Sequence, residues 1–279
     1  MDATGFFGLE RTEDPRAWRM KVVPELCSGM GALFGGCGLG AAIEALEVTT
    51  GRPLVWATAQ YLSFARPPAV IDLGITEVVR GHQVSQARAV ATVEGEEILT
   101  VNGALGRRSL RWSGAWAVRP EVPPPDECRP RVLQERHQGS IMDRLDMRLA
   151  DARDFEDLDG EPPPLGSPPE PPAPAGLGVG RSALWVRLPD LEMSAAALAI
   201  VGDYVPFGIG QALGGRTGSN SLDNTLRVAN RAPTAWILAD VRVHAVADGF
   251  GHGLVHLWAE DGTLLATASQ SAIVRERSD

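Results

Sequence analysis

Three side chains late in the chain are out of keeping with their neighbours. Asp203 falls in an otherwise apolar run, Ala195–Val205, that reads as a helix. A carboxylate there is costly unless it is paired or hydrogen-bonded. It is either a capping or solvent-facing group near the helix end, or a partly buried base poised to accept a proton from water. Gln270 falls in Ala266–Ile273, a run of small and apolar residues where a long amide is out of place unless it meets solvent at a sheet edge. Ser221 has no base close in sequence and no Gly-x-Ser-x-Gly turn around it, so a covalent serine mechanism is not supported. Neutral groups that donate and accept, such as Ser221 and Gln270, are suited to holding a water. Asp223, on the same expected strand as Ser221, is a second carboxylate, which either orients neighbouring groups or binds structurally.

Histidines, cysteines and glycines offer further chemistry. His244, near Asp240 on an expected strand, is either a general base or a satisfied structural histidine. His252 and His256 are four apart in strand sequence, which lacks the geometry of a helix-borne zinc pair. No cysteine or carboxylate cluster completes a site with these or with His82 and His137, so no metal is expected. Cys27, Cys37 and Cys128 are odd in number and follow no ligand spacing, as reduced thiols would. Cys37 reads as a small buried thiol beside a glycine turn rather than as a nucleophile. Gly35, Gly36, Gly38 and Gly40 resemble a dinucleotide fingerprint only superficially, because no clear strand precedes them and no βαβ unit follows. They fit a helix N-terminus approached closely by a ligand or a sheet. The backbone amides of Gly36 and Cys37 are then candidates to bind a developing oxyanion. No cofactor is called for.

The elements that must position these residues come in two copies. Gly36 and Asp203 are 167 positions apart, and so are the turn glycines Gly95 and Gly262. Self-similarity at so long a period means duplicated domains. In the first copy, residues 31–50 read as a Gly- and Ala-rich helix, followed by a strand around Val55–Phe64 and three further strands with a turn at Glu94-Gly95-Glu96. Loose alternation in the third of these strands suggests burial on both faces. The second copy reads as a strand at Ala183–Leu188, a helix capped by Ser194 and ended or kinked by Pro206, and strands at Ser221–Val228, Ala235–Ala247, Gly253–Trp258 and Leu264–Arg275. Each copy is thus a helix followed by a meandering antiparallel sheet that wraps it. Eight prolines between Glu161 and Ala175 exclude a helix or central strand, leaving an extended connector. The expected division is residues 1–150, a linker over 151–180, and residues 181–279.

Composition narrows the partners. A hydrophobic fraction of 44% and a charged fraction of 22% are those of a soluble globular protein. The net charge of −9, with 26 positive charges that are almost all scattered arginines and densest only at Arg107, Arg108 and Arg111, leaves no nucleic-acid footprint. Ala195–Val201 is far shorter than the roughly 20 residues a membrane span needs. The start, Met1-Asp2-Ala3, lacks the pattern of a secretory signal, so a cytoplasmic location is expected.

Particular residues in this order resemble the hotdog-fold thioesterases, above all the double-hotdog acyl-CoA thioesterases of the bacterial thioesterase II type. They are Phe34-Gly35-Gly36 before an Ala-rich helix, Arg80-Gly81 with Ser85 and Arg88, and Asp261-Gly262-x-Leu264-x-Ala266-x-x-x-Gln270 running to Arg275. The likeness spans roughly residues 33–108 and 184–275. It implies an α+β fold of two tandem hotdog domains, the first non-catalytic and the second carrying the catalytic residues. It also implies hydrolysis of an acyl-CoA, in fatty acid metabolism, by a water that Asp203, Ser221 and Gln270 activate. Ser221 stands where the family often has Thr, Asn224 where a His commonly follows the Asp, and Asn230 where an Arg is common. The alternatives are a catalytically inactive acyl-CoA-binding protein and an acyl-CoA hydratase or dehydratase. The absence of a His close after Asp223 counts against the latter. A homodimer or higher homo-oligomer is a further expectation.

Overall fold

The computed structural model describes residues 1–158, 180–214 and 217–276. The polar lead-in forms a short helix, α1 (Ala3–Phe7), and two short strands, β1 (Leu9–Arg11) and β2 (Ala17–Lys21). Helix α2 (Gly35–Thr50) precedes β3 (Leu54–Tyr61), β4 (Val70–Arg80), β5 (Val84–Val93) and β6 (Glu96–Gly106). Strands β7 (Arg129–Pro130), β8 (Asp146–Asp151) and β9 (Arg181–Arg187) come next. They are followed by helices α3 (Ala195–Gly202) and α4 (Val205–Ala212), and then by β10 (Thr217–Ser221), β11 (Asp223–Val228), β12 (Ile237–Ala247), β13 (Phe250–Ala259) and β14 (Leu264–Glu276). The proline-rich run at 161–175 lies outside the described residues.

One antiparallel sheet runs through the molecule in the order β1-β2-β4-β5-β6-β3-β11-β14-β13-β12-β9-β8-β7, with β10 paired to β14. It reads alike outward from its centre, as β3-β6-β5-β4-β2 one way and β11-β14-β13-β12-β9 the other. At the centre Thr58 of β3 is opposite Thr225 of β11, and their hydroxyls are 2.6 Å apart. These two residues are also separated by 167 positions, so the pseudo-twofold axis relating the copies passes between them. β7 and β8 extend the far edge of the second copy, placing residues 129–151 in its sheet.

The concave face of the sheet closes over the helices. Ile71, Leu73 and Ile75 of β4 and Ala87 and Ala89 of β5 share one core with Leu39, Ile43 and Leu46 of α2. Inside this core α2 and α3 meet backbone to backbone. A Cβ on Gly36 would lie 2.8 Å from the Ile200 Cα and 2.9 Å from the Ala199 carbonyl oxygen, and one on Gly40 would lie 3.0 Å from the Ala196 carbonyl oxygen. Glycine permits that approach, and every residue of α3 is buried by it.

Four expectations are corrected. Residues 31–34 are not helical: the Leu33 amide donates to Ala65, Leu33 also bridges to Cys27, and the extended Phe34 caps a helix that starts at Gly35. Pro206 ends α3, but earlier than one turn after Asp203, and a second helix, α4, starts around it. Having no N–H for the Gly202 carbonyl, it forces the break upstream, at Asp203–Tyr204, and fits the first turn of the next helix. β5 is buried on one face only, with Ser85, Ala87, Ala89 and Ala91 inward and Gln86 and Arg88 exposed. Finally, Ala195–Ala212 taken through the break is long and apolar enough to cross a membrane by composition, yet 72% of it is buried inside the protein, as a core element.

The candidate active site

Asp203 occupies the break between α3 and α4, buried to 5% exposure. Its Oδ2 accepts the backbone N–H of Gly36 at 2.6 Å. The two residues are pseudo-twofold mates, and the helix crossing brings them into contact with each other. Its Oδ1 accepts from Gln270 Nε2 and, at 3.5 Å, from the Ser221 hydroxyl. Gln270 Nε2 also donates to Ser221 Oγ at 2.8 Å, and Gln270 Oε1 accepts the N–H of Val205 at 3.3 Å. Val205 begins α4, where the N–H groups have no intrahelical partner, so Gln270 caps that helix while it holds the carboxylate. β14 carries Gln270, and β10, paired to β14 with Ser221 opposite Ala272, ends at Ser221. Three elements far apart in sequence thus converge on one carboxylate.

Burial pushes the Asp203 carboxyl up to about 7, against the pull of the hydrogen bonds from Gln270, Gly36 and Ser221. Desolvation therefore outweighs three donors, leaving a carboxylate close to half ionised at neutral pH. With both amide hydrogens of Gln270 engaged and its carbonyl accepting the N–H of Val205, this side chain fixes Asp203. Asp203 Oδ2 and the Tyr61 hydroxyl both pack against Gly35. A Cβ there would lie 2.7 Å from Oδ2 and 3.0 Å from the Tyr61 hydroxyl oxygen.

The expected oxyanion amides are engaged elsewhere. Gly36 N–H binds Asp203, and Cys37 N–H donates to the Phe34 carbonyl at 2.9 Å, closing the first turn of α2. The Cys37 thiol is buried and held well above the usual thiol range by that burial, with Asp203 adding to the effect, so it is no nucleophile. Asp223 Oδ1 accepts the N–H of Ser271 at 2.7 Å, securing β14 beside Gln270. His244 is exposed at the β12–β13 bulge and is not brought into this cluster, while Asp240 is buried against Arg242 and Arg181. His252 meets Ser271 at 3.1 Å. Among the described residues no group of three or more His, Cys, Asp or Glu side chains is placed to hold a metal.

Two residues that residue type did not single out stand at the cluster. Asn224 is fully buried, and neither atom of its amide has a hydrogen-bond partner among the described residues; the same holds for the buried Tyr61 hydroxyl. Burial holds that hydroxyl well above the usual tyrosine range, the Asp203 and Asp223 charges reinforce the shift, and the adjacent Asn224 side chain opposes it. The signal for Asn224 lay in the 167-residue offset. Positions matching Asp203, Ser221, Asn224 and Gln270 in the first copy are Gly36, Leu54, Ala57 and Gly103, none with a polar side chain.

A family model for the C-terminal domain of acyl-CoA thioesterases matches residues 125–274. Among solved structures, a candidate thioesterase from Novosphingobium aromaticivorans DSM 12444 is 31% identical, with 95% of this chain and 97% of that chain covered and a TM-score of 0.81. A conserved protein of unknown function with a hot dog fold from Alicyclobacillus acidocaldarius is 19% identical, covers 99% and 98%, and has a TM-score of 0.80. The acyl-CoA thioesterase II TesB2 of Mycobacterium marinum is 18% identical, covers 100% and 98%, and has a TM-score of 0.71. These likenesses make the fold a double hotdog. No curated protein matches the chain.

Proposed function

The chain belongs to the acyl-CoA thioesterase family, and on that premise we propose that Asp203 is the base that activates water against the thioester, set in place by Ser221 and Gln270. The observation that carries this reading is the half-satisfied carboxylate. Oδ1 is occupied by Gln270 and Ser221, whereas Oδ2 accepts a single N–H, that of Gly36, and keeps an acceptor site for a water. A water there donates one proton to Oδ2 while its oxygen bonds to the carbonyl carbon of the acyl-CoA. The tetrahedral intermediate collapses, the carbon–sulfur bond breaks, and Asp203 returns the proton to the departing CoA sulfur. One water and one thioester become one carboxylic acid and one thiol, with no cofactor required.

The second copy supplies the three reacting and positioning side chains, and the first supplies the amide of Gly36. We place the catalytic side chains in the copy over residues 181–279, whose sheet β7 and β8 extend, and the non-catalytic copy in the part of residues 1–150 that precedes β7. Three buried, unpaired thiols support a reducing compartment, the cytoplasm.

Thiol release from acyl-CoAs of graded chain length, by wild type and Asp203→Asn, tests the reading. The expected result is release by wild type and a rate lower by about 10²–10⁴-fold in the variant. Release that survives the substitution, or none from any acyl-CoA by folded wild type, overturns it.

A further inference from the structure

Asn224 and Tyr61 bury polar atoms that reach each other's side chains but make no well-formed hydrogen bond, a costly condition for buried groups. Tyr61 does so beside Asp203 and Asn224 beside Gln270. Asn224 and Leu226 alternate inward on β11, and Leu226 reaches the Cα of Gly202, next to Asp203, where a Cβ would meet Leu226 Cδ1 at 3.7 Å. Thr225 pairs with Ser269, which puts Asn224 beside Gln270 on the adjoining strand. On its other side Asn224 is opposite Ala59 of β3, and Tyr61, two residues on, faces the same way. The Tyr61 hydroxyl then packs against Gly35 together with Asp203 Oδ2. Neither residue is duplicated: their mates at the 167-residue offset are Ala57 and Val228.

We propose that the Asn224 amide and the Tyr61 hydroxyl are the donors that receive the thioester carbonyl oxygen. The inference rests on the reading of Asp203 as the base, whose Oδ2 meets Gly35 beside the Tyr61 hydroxyl. As the water oxygen bonds to the carbonyl carbon, the C=O π pair moves onto oxygen, where two neutral donors stabilise it. It re-forms the double bond as the thiolate leaves. Donors that meet only each other need little rearrangement when that charge appears. The amides of Gly36 and Cys37 cannot serve, being bound to Asp203 and Phe34.

Tyr61→Phe and Asn224→Leu test this with two non-hydrolysable CoA derivatives of equal chain length. One is a ketone in which a methylene replaces the sulfur, so that it keeps the carbonyl; the other is an S-alkyl thioether that lacks it. Each substitution is expected to lower kcat by about 10²–10³-fold. Affinity for the ketone should weaken by about tenfold and affinity for the thioether should not change. Asn224→Leu should melt no lower than wild type, since it removes an unpaired buried amide; Tyr61→Phe, which deletes one oxygen, carries the same test should Asn224→Leu not fold. Wild-type kcat in both variants, or equal weakening toward both derivatives, overturns the proposal. The base reading fails separately: Asp203→Asn would then keep its rate, while the ketone and thioether comparison still reports on the two donors.

Discussion

The chemistry of single residues here is set by what surrounds them more than by what they are. Asp203 is an ordinary carboxylate moved to about 7 by burial, so its basic form accumulates as pH rises through neutrality. A base acts when ionised, so kcat/KM should climb about tenfold per pH unit below 7 and level off above it. A flat profile across pH 5–8 would exclude Asp203 as the titrating base. Gln270 supplies the strongest of the hydrogen bonds that hold this value down. Gln270→Ala should therefore move the kinetic midpoint upward, as well as lowering the rate, an effect that loss of packing alone would not produce. Cys37 makes the opposite case. Its thiol is buried and neutral, so iodoacetamide should leave it unmodified in the native protein and Cys37→Ala should keep most of the activity. Mass spectrometry of the alkylated protein checks the first outcome and thiol release the second.

Among the elements, the crossing of α2 over α3 is the decisive contact. It brings Gly36 to Asp203 because α2 presents Gly36 and Gly40, which have no Cβ, to the backbone of α3. Gly36→Ala should cost about 1–3 kcal/mol, since its Cβ would press on the backbone at Ile200 and Ala199, which cannot swing aside as a flexible side chain could. The same displacement tilts the N–H off Oδ2, so the rate should fall with the melting temperature. A variant that melts and turns over like wild type would show the crossing to be looser than described. The break at Asp203–Tyr204 is equally purposeful. An unbroken helix would carry Asp203 around with its turn, whereas the break, fixed by Pro206 and capped by Gln270, leaves both the carboxylate and the amide of Val205 facing β14. Periodicity finds the helix here but not its interruption, because Pro206 is compatible both with ending one helix and with starting the next.

Across the whole molecule, duplication supplied two copies of one frame and let one of them lose its polar groups. Where β14 carries Gln270, β6 carries Gly103, and where β11 carries Asn224, β3 carries Ala57. The first copy still contributes the Gly36 amide, so the site depends on both copies being joined. Their junction is the β3–β11 ladder at the centre of the sheet, with the paired hydroxyls of Thr58 and Thr225. Amide hydrogens of β3 and β11 should accordingly be among the last to exchange, opening only with the whole protein. Hydrogen exchange followed by mass spectrometry would show this; early exchange there, with β5 and β6 still protected, would mean that the halves part before they unfold.

Residue types and their order were enough to show the duplication, the sequence of helix and strands in each copy, and the anomaly of Asp203 and Gln270 among apolar neighbours. These are local matters: periodicity, turn glycines and the cost of burying a polar group can be read along a few residues of chain. The partners of those residues could not be read so. Gly36 meets Asp203 across 167 positions and Gln270 meets it across 67, through a helix crossing and a strand register that no short window contains. The same long-range packing took the amides of Gly36 and Cys37 away from the role their residue pattern suggested. It also brought Tyr61 and Asn224, both unremarkable in sequence, to the carboxylate. Burial in that packed interior, and not residue type, sets the charge of Asp203.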